Sequence, residues 1–177
     1  MNYLVVCALG EKQPGIVYEL SKLASQTGCN IVESRMTTMG REFSLMMLLQ
    51  GEWNALAKME HQVPVVATRL GLTTMIKRTT EAAPQADAIP YRLQITAKDN
   101  PGIIGDIAEF LAEHQIPIIE LNSDSFTPPH SGTAMVRLTL VIHVPGHARI
   151  ADLREEFTNF CDDRNLDAIM EPYGQIV

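Results

Sequence analysis

The sequence predicts an α+β chain made of two copies of one βαββαβ unit, each a four-stranded antiparallel sheet with two helices on one face. Three observations carry this reading. Apolar runs of strand length interleave with segments of helical periodicity in the order strand, helix, strand, strand, helix, strand. The order then recurs: Pro14-Gly15-Ile16-Val17 matches Pro101-Gly102-Ile103-Ile104 at a displacement of 87 positions, and Ile31-Val32-Glu33 matches Ile118-Ile119-Glu120 at the same displacement. Beyond that, residues 43–51 align with 138–146 at a displacement of 95, so the second copy carries eight extra residues around 126–132. Two matched blocks related by one insertion mark an internal repeat.

In the first copy, residues 3–9 are apolar on both faces, as a central strand is. Residues 16–26 place Ile16, Leu20, Leu23 and Ala24 at helical spacing, and Gly28 ends that helix. Residues 30–38 and 42–49 read as a hairpin turning at Met39-Gly40. Residues 53–71 form a second helix that Pro64 is expected to kink or split, and 72–78 a closing strand. The second copy repeats this with strands at 91–98, 116–125, 134–144 and 166–172 and helices at 102–114 and 148–164. The resulting domains are 1–80 and 90–177, joined by an exposed linker at 81–89 within a stretch, 79–90, rich in Thr, Ala and Pro. Right-handed crossovers put both helices of a unit on one face, the ferredoxin-like arrangement. In the first copy Val5, Cys7 and Leu9 are then left uncovered, which calls for docking against another copy of the unit, within the chain or in a homo-oligomer.

Composition narrows the function classes. At 177 residues and 46% apolar the chain has room for two small cores and for no separate catalytic domain. No apolar run reaches the ~20 residues of a membrane span and no secretory signal is legible, so a cytoplasmic location without membrane contact is expected. The three cysteines, Cys7, Cys29 and Cys161, are odd in number and set among apolar residues, which suits reduced core thiols. Charge is uneven: residues 1–88 carry eight basic and eight acidic side chains, and 89–177 carry six and thirteen. The whole excess of −7 therefore lies in the second half, which repels a phosphate backbone, and direct nucleic-acid binding is not expected.

The chemistry is concentrated where strand meets helix. Asp99-Asn100-Pro101-Gly102 opens the first helix of the second copy, where Gly102, Ile103 and Ile104 offer N–H groups and the positive helix end to a carboxylate, while Asp99 can hold an ammonium. The same residues also suit a plain helix start, with Asp99 or Asn100 as cap and Pro101 in the first turn. In the first copy Lys12 and Gln13 stand in place of Asp99 and Asn100, with Gly15 in place of Gly102, and the Lys12 ammonium would repel an amino group. His143 and His147 are four apart but Pro145 intervenes, so no metal pair is expected. Nothing else suggests a cofactor, and the serines lack a nucleophile elbow, so no catalytic residues are assigned. Glu155-Glu156 and Asp162-Asp163 read as a solvated acidic face or a partner patch, and Met36, Met39, Met46, Met47 and Met59 as core filling or adaptable interface.

These residues resemble the ACT domain, a regulatory module that senses amino acids. The likeness rests on the strand-loop-helix around Asp99-Asn100-Pro101-Gly102, the Gly28-Cys29-Asn30-Ile31 start of a second strand, the Ala8-Leu9-Gly10 approach to Pro14-Gly15-Ile16-Val17, and the closing Ile76-Lys77-Arg78-Thr79. Two such units with nothing else resemble the glycine cleavage system transcriptional repressor family across nearly the whole chain. The resemblance implies a non-enzymatic repressor that senses a small amino acid, glycine above others, and acts through a DNA-bound transcriptional activator protein. It also implies ligand-binding roles for Asp99, Asn100, Pro101, Gly102, Ile103 and Ile104 and, in the first copy, for Gln13, Gly15 and Asn30. The chain departs from the family pattern at Lys12 and Gln13 of the first loop, at Pro117, which replaces the asparagine found at Asn30, and at the insertion 126–132, which could cover or block the neighbouring groove. The alternatives are an allosteric subunit that tunes a metabolic enzyme and a small enzyme on the same scaffold.

Overall fold

A computed structural model describes residues 2–81 and 87–174. The chain divides into two compact units, Met1–Ala83 and Pro84–Val177. Unit 1 runs β1 (Asn2–Glu11), α1 (Ile16–Thr27), β2 (Asn30–Met39), β3 (Glu42–Gly51), α2 (Trp53–Arg69), β4 (Thr73–Thr79). Unit 2 repeats it as β5 (Ala88–Lys98), α3 (Ile103–Glu113), β6 (Ile118–Phe126), β7 (Met135–Pro145), α4 (Ile150–Asp163), β8 (Asp167–Pro172). Each unit holds one four-stranded antiparallel sheet, ordered β2-β3-β1-β4 and β6-β7-β5-β8. The repeat reaches fine detail: the β2 ladder slips between Ile31 and Glu33, and the β6 ladder slips at the corresponding Ile118 and Glu120. Most of the linker expected at 81–89 falls outside the described residues, and its last two residues, Ala88 and Ile89, already belong to β5.

The core of each unit follows from strand alternation. Leu4, Val6 and Ala8 of β1 face Leu45, Met47 and Leu49 of β3 and the α1 and α2 residues Ile16, Leu20, Leu56, Met59 and Val63. In unit 2, Leu93, Ile95 and Ala97 of β5 play the same part beneath Ile107, Leu111, Leu153 and Phe157. Complete burial of each such leucine or isoleucine stabilises its unit by about 1.5–3 kcal/mol. Helix α2 runs continuously through Pro64, so the expected split does not occur. Pro64 is exposed, so the backbone carbonyl that loses its donor can be hydrated. The hairpin turns at Gly40-Arg41, where Gly40 takes φ 60°.

The uncovered sheet faces differ as their sequences do. On sheet 1, Val5 and Cys7 are half-buried while Leu9, Met46 and Met75 are 52%, 52% and 69% exposed, and Cys7 is flanked across the ladders by both methionines. Sheet 2 instead presents Arg92, Gln94 and Thr96, with Arg92 3.7 Å from Glu171 and Arg137 3.9 Å from Asp124. The methionine cluster therefore splits: Met47 and Met59 fill core, while Met36, Met39 and Met46 are exposed. Cys29 and Cys161 are buried free thiols, and burial pushes Cys161 up to about 11. Cys7 departs from the expected core position.

Gly10 locks the end of β1 against the start of β4. A Cβ there would lie 2.9 Å from the Gly71 carbonyl oxygen and 2.7 Å from a Leu72 methyl. Gly10→Ala is expected to cost about 1–3 kcal/mol of stability by overpacking, read from denaturant unfolding; an unchanged midpoint would contradict this packing.

Candidate functional site

The two Pro-Gly loops have the same backbone. Gly15 (φ 92°, ψ −10°) and Gly102 (φ 103°, ψ −20°) are the N-cap residues of α1 and α3, both left-handed and neither carrying a side-chain cap hydrogen bond. The capping expected of Asp99 or Asn100 is therefore not found, and Pro101 precedes the helix rather than sitting in its first turn. A left-handed cap strains any residue with a Cβ, which explains glycine at both places. The first intrahelical bonds are Glu19 N–H to the Gly15 carbonyl and Asp106 N–H to the Gly102 carbonyl, each 2.9 Å. The N–H groups of the opening turns, Ile103 and Ile104 among them, are thus left to an outside acceptor at the positive helix end. The second loop is anchored to the β6–β7 connection, with the Asp99 N–H donating to the Ala134 carbonyl at 2.9 Å. The insertion accordingly leads into the strand edge beside this loop. Lys12 makes the corresponding bond to the Arg41 carbonyl at 3.1 Å.

Side chains separate the loops. Gln13 Nε2 donates to the Leu70 carbonyl at 2.5 Å, so this amide is spent on closing the end of α2. Asn100, which matches it, is exposed and carries no side-chain hydrogen bond among the described residues, and the same holds for Asp99. Gly105, in the first turn of α3, has open space where a side chain would stand, whereas its counterpart Tyr18 in α1 is 62% exposed with Lys22 over its ring. The approach to the second loop is the barer one. Ile104 and Val17 are both exposed at the loop mouths, and Ile103 packs on the core.

Asn30 is not brought to the first loop. It pairs across β3 with Gln50, which in turn pairs with Tyr3, so it lies at the opposite end of the sheet from Gln13 and Gly15. Eight residues of extended β1 separate the two levels, roughly 26 Å at the usual rise. Asn30 can join a loop only from another unit or copy. Its counterpart Pro117 lines a cleft of about 660 Å³ in unit 2 with Gln115, His143 and His147, at the end of β5 away from Asp99. Among the described residues no group of His, Cys, Asp or Glu is placed to hold a metal.

The repeat also holds a pair of ionic contacts that the residue-by-residue reading misses. Glu19 in the first turn of α1 meets Arg69 at the end of α2 at 2.5 Å, and Asp106 in α3 meets Arg164 at the end of α4 at 3.7 Å. The acids are displaced by 87 positions and the arginines by 95, so the two repeat offsets taken together would have pointed to them. These exposed pairs tie each loop-bearing helix to its neighbour and are each worth about 0–1 kcal/mol.

Gly105→Ala is expected to stabilise unit 2 by up to about 1 kcal/mol, because it removes a helix-weakening glycine without a clash. Denaturant unfolding checks this; destabilisation would mean that the first turn of α3 is more crowded than described.

Comparison with known proteins agrees with the repeat. The ACT domain family matches residues 2–77. The glycine cleavage system transcriptional repressor of Escherichia coli is 32% identical over 164 residues, covering 93% of this chain and 86% of the relative. A solved structure provisionally assigned as a glycine cleavage system transcriptional repressor superposes with a TM-score of 0.76 at 28% identity, covering 98% of both chains. A Galdieria sulphuraria protein of unknown role shares the fold, with a TM-score of 0.78 at 20% identity over 98% of this chain and all of that one. Among the described residues no helix is long and apolar enough to cross a membrane. Both the repeated unit and the identity across most of the chain place the protein in the glycine cleavage system transcriptional repressor family, whose members are regulators rather than enzymes.

Proposed function

We propose that the chain is a cytoplasmic, amino-acid-responsive repressor that works through a protein partner, a DNA-bound transcriptional activator, and that the loop Asp99-Asn100-Pro101-Gly102 receives the amino acid. The observation that carries the site is the left-handed Gly102 cap, whose helix end lacks any side-chain cap while Asp99 and Asn100 are unspent. A small amino acid is a carboxylate and an ammonium a short distance apart; the N–H groups of Ile103 and Ile104 suit the first, and Asp99 the second. Glycine, with no side chain, meets the least hindrance from exposed Ile104. Lys12 and the engaged Gln13 make the first loop the lesser site, and Gly15 there keeps the shape without the charge. Asn30 contributes only where another unit or copy approaches, and the open apolar face of sheet 1 supports such self-association in a homo-oligomer.

Calorimetric titration with glycine and serine tests the site. Asp99→Asn is expected to weaken binding roughly tenfold, about 1.4 kcal/mol, by removing the charge opposite the ammonium, and Lys12→Ala to leave it unchanged. Equal affinity in Asp99→Asn, or loss in Lys12→Ala alone, overturns the assignment to the second loop.

Indirect action is supported by the charge distribution: the first half is neutral overall and the second carries the whole negative excess, so neither half has a net positive charge to favour DNA. The purified chain alone is expected to leave an operator fragment unretarded in a gel, and salt-sensitive retardation at sub-micromolar protein would refute the indirect mode. Capture from a lysate, with and without glycine, is expected to retain a DNA-binding activator. Retention of a metabolic enzyme in its place would favour an allosteric subunit.

A further inference from the structure

Helices α3 and α4 are joined by a seam that unit 1 shares at one end only, where Glu19–Arg69 corresponds to Asp106–Arg164. At one end Asp106 faces Arg164 at 3.7 Å. In the middle the Phe110 ring lies 5.6 Å from Phe157 and 4.8 Å from Phe160, with Arg164 over the Phe160 ring at 4.2 Å. At the other end stands His114, the residue that closes α3, its ring 4.3 Å from Phe110. Its Nδ1 is 2.7 Å from the Phe110 carbonyl oxygen of its own helix, and its Nε2 is 2.6 Å from a carboxylate oxygen of Glu156 on α4.

Both of those neighbours only accept hydrogen bonds. A neutral imidazole has one N–H and one lone pair, so it can satisfy the carbonyl or the carboxylate but must turn a lone pair on the other. The imidazolium has two N–H groups and satisfies both. We propose that His114 is a proton-operated latch between α3 and α4, closed when the ring carries both protons and opened when it loses one. The groups that set its charge come from both packed helices. Glu156 on α4 favours the proton most through its hydrogen bond, the Phe110 carbonyl adds to it, and Glu113 on α3 contributes through charge; partial burial opposes them. The outcome holds His114 above the ordinary histidine range.

The latch belongs to unit 2 alone. At the repeat offsets, Thr27 stands in place of His114, Leu23 in place of Phe110 and His61 in place of Glu156. Thr27 is buried and its hydroxyl spans the Leu23 and Ala24 carbonyls at 3.0 and 2.9 Å, an arrangement without a titrating group. At this corner the first unit has a hydroxyl that bonds its own helix and reaches Met59 Sδ of α2 at 3.7 Å, and the second a charge pair between the two helices. Because α3 begins at the Gly102 loop, the latch secures the far end of the helix that presents that loop, whether or not the loop binds an amino acid.

A histidine whose folded-state pKa is raised contributes stability that is fully present below its unfolded value, about 6.5, and is lost as pH rises through the folded value. The test uses the full chain and the variants Glu156→Gln and His114→Gln. The His114 ring resonance, identified by its absence in His114→Gln, is expected to titrate at higher pH in the native chain than in Glu156→Gln. In thermal unfolding, the native chain is expected to exceed Glu156→Gln in Tm at pH 5.5, with the gap closing by pH 8.5, and His114→Gln is expected to lack that pH-dependent component. Equal ring midpoints in the native chain and Glu156→Gln overturn the latch, as does a Tm gap that persists or widens with rising pH.

Discussion

Everything in each unit hangs on the central strand being buried on one side only. β1 and β5 lie between two hydrogen-bonded neighbours, and their inward residues, Leu4-Val6-Ala8 and Leu93-Ile95-Ala97, are the floor on which both helices rest. Because a βαβ crossover returns on the same side, two crossovers put both helices over that floor and leave the opposite face without cover. The strand then ends where its crossover helix begins, which places the Pro-Gly loop at the strand's carboxyl end with its N–H groups outward. The positions of core, open face and loop are thus consequences of a single geometric constraint.

The two copies keep the constraint and spend the remaining freedom differently. Sheet 1 leaves Leu9, Met46 and Met75 exposed on its free face, and sheet 2 lines the equivalent face mainly with Arg92, Gln94, Thr96 and charged neighbours, with Ile169 exposed beside Gln94. The loops follow the same division. The first is tied to the end of α2 through Gln13 and overlooked by Tyr18, and the second has an unspent Asn100 and open space at Gly105. The helix seams differ too, neutral at Thr27 and ionic at His114. One unit thereby has the more apolar surface and the other the more polar one. Such divergence within a repeat gives a regulator two unlike surfaces.

Ionic contacts decorate this frame more than they support it. Arg78 grips Glu60 through two 2.8 Å bonds and lies over Trp53, and its guanidinium holds the Glu60 carboxyl below the usual range. The helix ties Glu19–Arg69 and Asp106–Arg164 are solvent-exposed and screened. Their recurrence at both repeat offsets marks them as positioning contacts for the loop-bearing helices, while the cores hold the units together.

Sequence alone determined the βαββαβ order, the repeat and the sites of the two loops, because alternation, helical periodicity and Pro-Gly punctuation are local signals written within a few residues. It located the strands and helices to within a few residues and foresaw the bare apolar face of sheet 1, since Val5, Cys7 and Leu9 are apolar where a one-sided sheet needs no burial. What tertiary structure decided depends on residues far apart in the chain. Gly102, not Asp99 or Asn100, is the helix cap, because the backbone turns left-handed there and carries those side chains past the helix end. Gln13 donates to the Leu70 carbonyl, 57 positions away, and Asn30 is held a whole strand length from Gly15 by the β1–β3–β2 register. Pro64 does not split α2, because its exposed setting lets the helix continue. The His114–Glu156 contact joins residues 42 positions apart on different helices, and only the packing of α3 against α4 brings those two groups within hydrogen-bonding distance.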